Sequence, residues 1–291
     1  MFSRHFLFLV PLYALLLVSC RVGNGDRPLV GGSYDVSGSM RTTSSTEDGE
    51  DALEEDALDD AVLEEDADLL PAPLTDRPEQ RLMRKAYSVS YNCTTRLPNW
   101  VQWTLTADHT DGRYSRRGQQ FHEDEEVATP RATHYDYMRS GYDRGHMCPS
   151  GDNKWDAEAQ EQSFLLTNVC PQNHDLNTGD WNELEIQCRR WAKRYGRIYI
   201  VCGPVLYRQK HKTIGRNRVV VPEAFFKVVL RLGDEPACIA FIYRNKEGNR
   251  PKGDYVNSLR EVERITKIHF FSGLDSDIRA LIENEADIND W

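Results

Sequence analysis

Beyond residue 80 the apolar positions follow two rhythms. Runs at Trp100–Thr106, Ile198–Val205, Phe225–Leu232 and Cys238–Tyr243 alternate or cluster Val, Ile and aromatic residues, which predicts four strands. Trp181, Leu184, Cys188, Trp191 and Tyr195 instead recur at spacings of 3, 4, 3 and 4, the repeat of one helix face. Arg189, Arg190, Lys193 and Arg194 lie on its other faces or near its C-terminus, and Gly196 is the expected stop. Two shorter helices are predicted over about 257–268 and 276–283. This mixture points to an α+β fold, with a central, largely antiparallel sheet and flanking helices.

The first eighty residues follow neither rhythm. Residues 1–20 have the layout of an export signal: Arg4 and His5, an apolar run from Phe6 to Val18, then Ser19-Cys20. Leu17-Val18-Ser19-Cys20 resembles a bacterial lipobox, in which Cys20 is acylated and becomes the mature N-terminus. The expected location is therefore the cell envelope, lipid-anchored on its periplasmic or cell-surface face, with secretion as the outcome if Cys20 is not acylated. Residues 21–80 are rich in Gly, Ser and Thr and then in Asp and Glu, and are expected to form a disordered acidic tether. That leaves 81–291 as the folded domain.

Charge changes the picture once it is located. The whole chain carries a formal −10, a balance unfavourable to a phosphate-rich partner. Residues 1–79, however, hold 17 acidic and 5 basic side chains, whereas 80–291 hold 29 acidic and 31 basic ones. The folded part is thus slightly cationic, and Arg113, Arg116, Arg117, Arg139 and Arg144 form one candidate patch.

Chemistry-bearing residues concentrate in two segments. In Tyr142-Asp143-Arg144-Gly145-His146-Met147-Cys148-Pro149-Ser150, an arginine able to clamp a phosphate lies two residues from an imidazole able to take a proton near neutral pH. The second segment runs from Thr167-Asn168 through Pro171-Gln172 and Leu176-Asn177 to Leu184-Glu185, ending inside the long helix. Asn177 is expected at that helix's entrance as a cap, with Glu185 two turns further on, roughly 80° around the axis.

Together these segments resemble the DNA/RNA non-specific endonuclease family of the His-Me finger, or ββα-metal, superfamily, which includes endonuclease G. The resemblance covers about Tyr91 to Phe271. It rests on Asp-Arg-Gly-His at 143–146, Thr-Asn-x-x-Pro-Gln from Thr167, and Leu-Asn-x-Gly-x-Trp-x-x-Leu-Glu ending at Glu185. An upstream Arg-x-x-x-Phe element fits Arg117 and Phe121, with Arg116 as its neighbouring alternative.

The resemblance implies a role for each residue and a ββα-metal motif at the site. His146 would be the general base. Asn177 would be the one direct protein ligand of a hydrated Mg²⁺, with Mn²⁺ or Ca²⁺ as substitutes, and Glu185 would act on that ion through water. Arg144 and Arg117 would bind substrate phosphate, and Asn168 would support the network. Products would carry a 5′-phosphate. DNA and RNA are the implied substrates, digestion of extracellular or periplasmic nucleic acid the expected use, and a homodimer an expectation because some relatives dimerise. Asp143 reads as a brace for its loop.

Other readings use the same residues. Without Cys20, the cysteines at 93, 148, 170, 188, 202 and 238 form an even set in an oxidising compartment, so Cys148–Cys170 and Cys188–Cys202 bridges are candidates. His146, Cys148, Cys170 and His174 are four potential zinc ligands of a surface binding module. A catalytically inactive relative that only binds nucleic acid is a third reading. No basic recognition helix or zinc-finger spacing is present to read base edges.

Overall fold

The structure is a computed structural model that describes residues 69–246 and 248–291. The export signal, Cys20 and the acidic run of the tether lie outside the described residues. Eleven strands are β1 (Gln80–Met83), β2 (Ser88–Asn92), β3 (Leu97–Thr106), β4 (Asp143–His146), β5 (Val169–Gln172), β6 (Arg197–Val205), β7 (Thr213–Ile214), β8 (Val219–Val220), β9 (Ala224–Arg231), β10 (Ala237–Arg244) and β11 (Val256–Asn257). Six helices are α1 (His134–Tyr137), α2 (Ala157–Gln162), α3 (His174–Thr178), α4 (Asp180–Tyr195), α5 (Leu259–Thr266) and α6 (Ser276–Ile282).

Seven strands form the main sheet in the order β1-β2-β3-β6-β9-β10-β11, and every neighbouring pair is antiparallel. The expected α+β architecture is therefore present, and the predicted strands fall on β3, β6, β9 and β10, the third running one residue past the end of β9 at Leu232.

These strands read as nearly continuous apolar runs because the sheet is covered on both faces. Along β6, Ile198, Ile200 and Cys202 pack with Trp181, Leu184, Cys188 and Trp191 of α4. The alternate residues Tyr199 and Val201 pack with Leu259 and Val262 of α5 and Ile282 of α6. Each buried Leu, Ile, Val or Phe contributes on the order of 1.5–3 kcal/mol relative to exposure.

α4 covers the predicted apolar stripe but starts at Asp180, three residues after the expected entrance at Asn177. Four of its five stripe residues are buried, Asp180 and Glu183 occupy the first turn, and Lys193 and Arg194 occupy the last, each sign complementing the helix dipole. Gly196, at φ 81°, ends it in a conformation that glycine adopts without steric cost.

The chain joins this body before residue 81. Leu69 packs in the core with Val262 and Phe271, and the Ala72 amide donates to the His269 carbonyl at 2.9 Å. Composition placed residues 69–80 with the polar tether, but their few apolar side chains are anchored by partners about two hundred residues later.

Candidate active site

β4 and β5 form a separate two-stranded antiparallel sheet, with Arg144 opposite Pro171 and His146 opposite Val169. The motif glycine between them is required by packing. A Cβ on Gly145 would lie 2.0 Å from Gln172 Oε1 and 2.6 Å from Gln172 Cβ.

His146 points into an aromatic recess. Its ring centroid lies 4.9 Å from that of Phe121 and 5.0 Å from that of Phe164, and its buried Nε2 has no hydrogen-bond partner. Desolvation, with a smaller contribution from the Arg116 charge, pushes its pKa down to about 3. The imidazole is therefore neutral at physiological pH, with an uncommitted ring nitrogen.

Arg144 stacks over Tyr137 and Phe121, its guanidinium carbon 5.4 and 5.8 Å from the ring centroids. Its Nη2 donates to the His134 carbonyl at 3.1 Å, while Nε is buried without a partner. Phe121 thus contacts both motif residues, as the upstream Arg-x-x-x-Phe element requires. Of the two arginines preceding it, Arg116 is the one whose charge acts on His146. Arg117 is exposed, and its amide donates to Ser115 Oγ at 3.4 Å. Arg113 and Arg139 are exposed as well.

Asn168 is fully buried and committed to the fold. Its Oδ1 accepts from the Cys148 amide at 2.9 Å, and its Nδ2 donates to the Cys148 and Ser163 carbonyls, each at 2.8 Å. It holds the chain leaving His146 and has no polar atom left for substrate.

Asn177 does not cap the long helix. It lies in α3, whose own N-cap is Asn173, the side chain accepting from the Leu176 amide. Gly179, at φ −99° and ψ −113°, separates α3 from α4, and an added Cβ there would lie 2.6 Å from the Asp175 carbonyl oxygen. Asn177 and Glu185 therefore stand on two helices, and the expected 80° relation along one axis does not apply. Instead, Asn177 Nδ2 donates to Asp143 Oδ2 at 2.9 Å, which ties α3 to β4 three residues before His146. The same Asp143 oxygen receives His174 Nδ1 at 2.9 Å. The brace expected of Asp143 is this double contact.

Glu185 lies one turn after Trp181 on α4, partly buried. Desolvation raises its carboxyl pKa to about 7 against the opposing charges of Lys227 and Arg189. Sequence reasoning missed Lys227. It is fully buried on β9, its Nζ 5.3 Å from the Trp103 ring centroid and 4.5 Å from that of Trp181, with no hydrogen-bond partner. Nearby Asp152, also missed, accepts from Arg189 Nη1 at 2.8 Å and Trp103 Nε1 at 3.1 Å. The available signal was a lone lysine at a core-facing position of a run otherwise apolar from Ala224 to Leu230.

Two alternative readings fail. The cysteines of both candidate bridges, Cys148, Cys170, Cys188 and Cys202, are free thiols. Cys170 pairs with Gly145 in the β4–β5 ladder, whereas Cys148 lies two residues past the end of β4, where its amide donates to Asn168 Oδ1. Cys202 Sγ is engaged with the Met147 carbonyl at 3.2 Å rather than with Cys188. Among the described residues no three His, Cys, Asp or Glu side chains gather as a metal set, which removes the zinc module of His146, Cys148, Cys170 and His174. The same ladder separates the two cysteines, and His174 is turned to Asp143.

Comparison with known proteins agrees with this geometry. The family model described as DNA/RNA non-specific endonuclease matches residues 71–277. Nuclease EXOG, mitochondrial, from Xenopus laevis is 33% identical over 207 residues, covering 66% of this chain and 58% of that protein. Endonuclease G, mitochondrial, from Bos taurus is 36% identical over 157 residues, covering 50% and 52%. The chain thus spans little more than half the length of these mitochondrial relatives. The protein named Nuclease from a Nostoc species is 31% identical over 234 residues, covering 75% of this chain and 82% of that one. Among solved structures, the crystal structure of the EndoG/EndoGI complex superposes with a TM-score of 0.64 at 28% identity, covering 68% of this chain and 87% of that one. With its motif residues arranged around one hairpin and the family model spanning most of the described residues, the chain belongs to the DNA/RNA non-specific endonuclease family.

Proposed function

We propose that this chain is a divalent-metal-dependent endonuclease that hydrolyses phosphodiester bonds of DNA and RNA without reading sequence. The observation carrying this reading is the neutral His146, its Nε2 unpartnered, on the strand that Asp143 ties to Asn177. His146 takes a proton from the attacking water. Arg144, with Arg116 and Arg117 at the rim, grips phosphate oxygens through forked donors that an ammonium lacks. Asp143 fixes the Asn177 amide by accepting from its Nδ2, which turns the lone pairs of Oδ1 to ligation of a cation. The products are 5′-phosphates.

The residues fit a hard cation. Asn177 Oδ1 and the Glu185 carboxylate are oxygen donors, and so small a set suits Mg²⁺, which keeps several waters; Mn²⁺ or Ca²⁺ would be held by the same atoms. Asn177 would hold the ion directly and Glu185 through water. Bound there, the ion would stabilise negative charge developing on the phosphate. We further propose export and acylation at Cys20, which would place the domain at the cell envelope. Blocked palmitate labelling in Cys20→Ala is the expected result, and labelling that persists would refute the anchor.

The decisive experiment incubates plasmid DNA and total RNA with wild type and His146→Ala, in Mg²⁺ and in EDTA. Cleavage of both polymers by wild type in Mg²⁺ alone, lost in the variant while binding survives, is expected. Binding without cleavage by wild type under every condition would instead identify an inactive relative.

A further inference from the structure

We propose that segment 208–218, between β6 and β8, is a second phosphate-binding surface that grips the nucleic-acid backbone beyond the bond being cut. This inference rests on the endonuclease reading above and deepens it, because it says how the chain holds a polymer rather than a single phosphodiester.

The segment carries five Lys or Arg residues and no Asp or Glu. Arg208, Lys210, Lys212, Arg216 and Arg218 are all exposed. Like charges so close in sequence repel one another, a cost that a polyanion laid across them removes. Two carboxylates pack against the segment, and both are committed to other donors. Asp136, buried on α1, accepts from the Asn217 amide at 2.9 Å and from Asn217 Nδ2 at 2.8 Å. Glu223 accepts from the Tyr207 amide at 3.1 Å and from His211 Nδ1 at 3.0 Å. Among the described residues none of the five cations has a carboxylate partner.

The segment is also fixed against the elements that carry the motif. β7 and β8 pair Thr213 with Val220 and Ile214 with Val219, and Ile214 and Val219 are buried in the core. Gly215, at φ 63°, brings the turn so close to α1 that an added Cβ would lie 2.2 Å from Asp136 Oδ1. Two residues before Asp136 on that helix, the His134 carbonyl holds Arg144 Nη2 at 3.1 Å. Lys212 Nζ lies 4.7 Å from the ring centroid of Tyr142, the residue before Asp143. The cations are therefore mounted on the supports of Arg144 and β4, and their backbone is set before substrate arrives, which lowers the ordering cost of binding.

A duplex carries one negative charge per about 1.7 Å of its axis. A strand with one phosphate at Arg144 thus presents neighbouring phosphates to this segment. That continuity with Arg144 favours a nucleic acid over an anionic lipid surface as the occupant. Contacts of this kind fix the backbone and leave the bases unread.

The test measures binding of the full-length chain to a fluorescein-labelled DNA duplex in EDTA over a salt series. Arg208→Gln/Lys210→Gln and Arg216→Gln/Arg218→Gln are compared with wild type and with Arg264→Gln/Lys267→Gln. The last pair removes the same charge from exposed positions of α5 and its C-cap, on the opposite face of the sheet. Each pair in 208–218 is expected to weaken binding about tenfold at low salt and to change the slope of log Kd against log salt by about 2, one phosphate contact per cation. The α5 pair is expected to stay within about twofold of wild type. Equal loss from all three pairs would reduce the effect to net charge and overturn the proposal, as would wild-type affinity in both pairs of the segment. Loss of binding to phosphatidylglycerol vesicles with duplex affinity intact would assign the surface to a membrane and overturn it as well. Cleavage is followed in parallel in Mg²⁺. Wild type that binds duplex with the full salt slope but never cuts it would refute the endonuclease reading and leave this surface standing.

Discussion

Phe121 and His146 pack ring to ring at 4.9 Å, although 25 residues separate them in the chain. This contact, with Phe164 on the other side, excludes water from the imidazole and accounts for its neutral state.

The recess makes stability depend on acidity. A histidine unfolded near its ordinary 6.5 but held at about 3 in the fold remains neutral while the unfolded chain gains a proton. The contribution of His146 is therefore constant above 6.5 and declines as pH falls through the interval below it. Thermal melts of wild type and His146→Phe between pH 7.5 and 4 should diverge, with wild type losing more. Parallel curves would mean that the ring is protonated in the native protein.

Glu185 gives the opposite sign. Its carboxyl, raised to about 7 from an ordinary 4.5, keeps a proton in the fold that the unfolded chain has released. This contribution is complete below 4.5 and disappears as pH rises through 7. In EDTA, Glu185→Gln should therefore melt above wild type at pH 8 and near it at pH 4.5. A constant difference across that range would refute the shift.

At Gly145 even a methyl group has no room. Gly145→Ala must displace the Gln172 side chain and should cost about 1–3 kcal/mol, with the hairpin shifted and cleavage reduced. Urea melts and turnover measure both. An unperturbed variant would show that Gln172 moves aside freely.

Free thiols predict indifference to reductant. Melting temperatures with and without dithiothreitol should coincide, and thiol titration in denaturant without reductant should detect the cysteines at 148, 170, 188, 202 and 238. A drop in melting temperature on reduction would reinstate a bridge.

Binding to phosphate makes activity sensitive to ionic strength. Cleavage should fall as salt rises, and Arg144→Lys, which removes the forked donors and their stacking on Tyr137, should weaken substrate binding at every salt concentration. A flat response from low to moderate salt would exclude phosphate-driven binding.

Much of this was legible from local pattern. The strands β3, β6, β9 and β10 and the stripe of α4 follow from periodicity, and Asp143–His146 stood out by motif. The break at Gly179 was not legible, because Leu176, Trp181 and Leu184 continue an apolar pattern across it while the backbone turns. Lys227 was hidden for a different reason. Its setting between Trp103 and Trp181 joins three elements far apart in sequence, a relationship that no window along the chain contains. The His174–Asp143 contact likewise spans 31 positions, so no local pattern pairs the two residues.

The hairpin bearing His146 shares no ladder with the seven-stranded sheet. Reactive groups are thus mounted on the scaffold rather than woven into it. Substitutions on that small module can change the groups it presents, Arg144 and His146, without breaking any ladder of the large sheet.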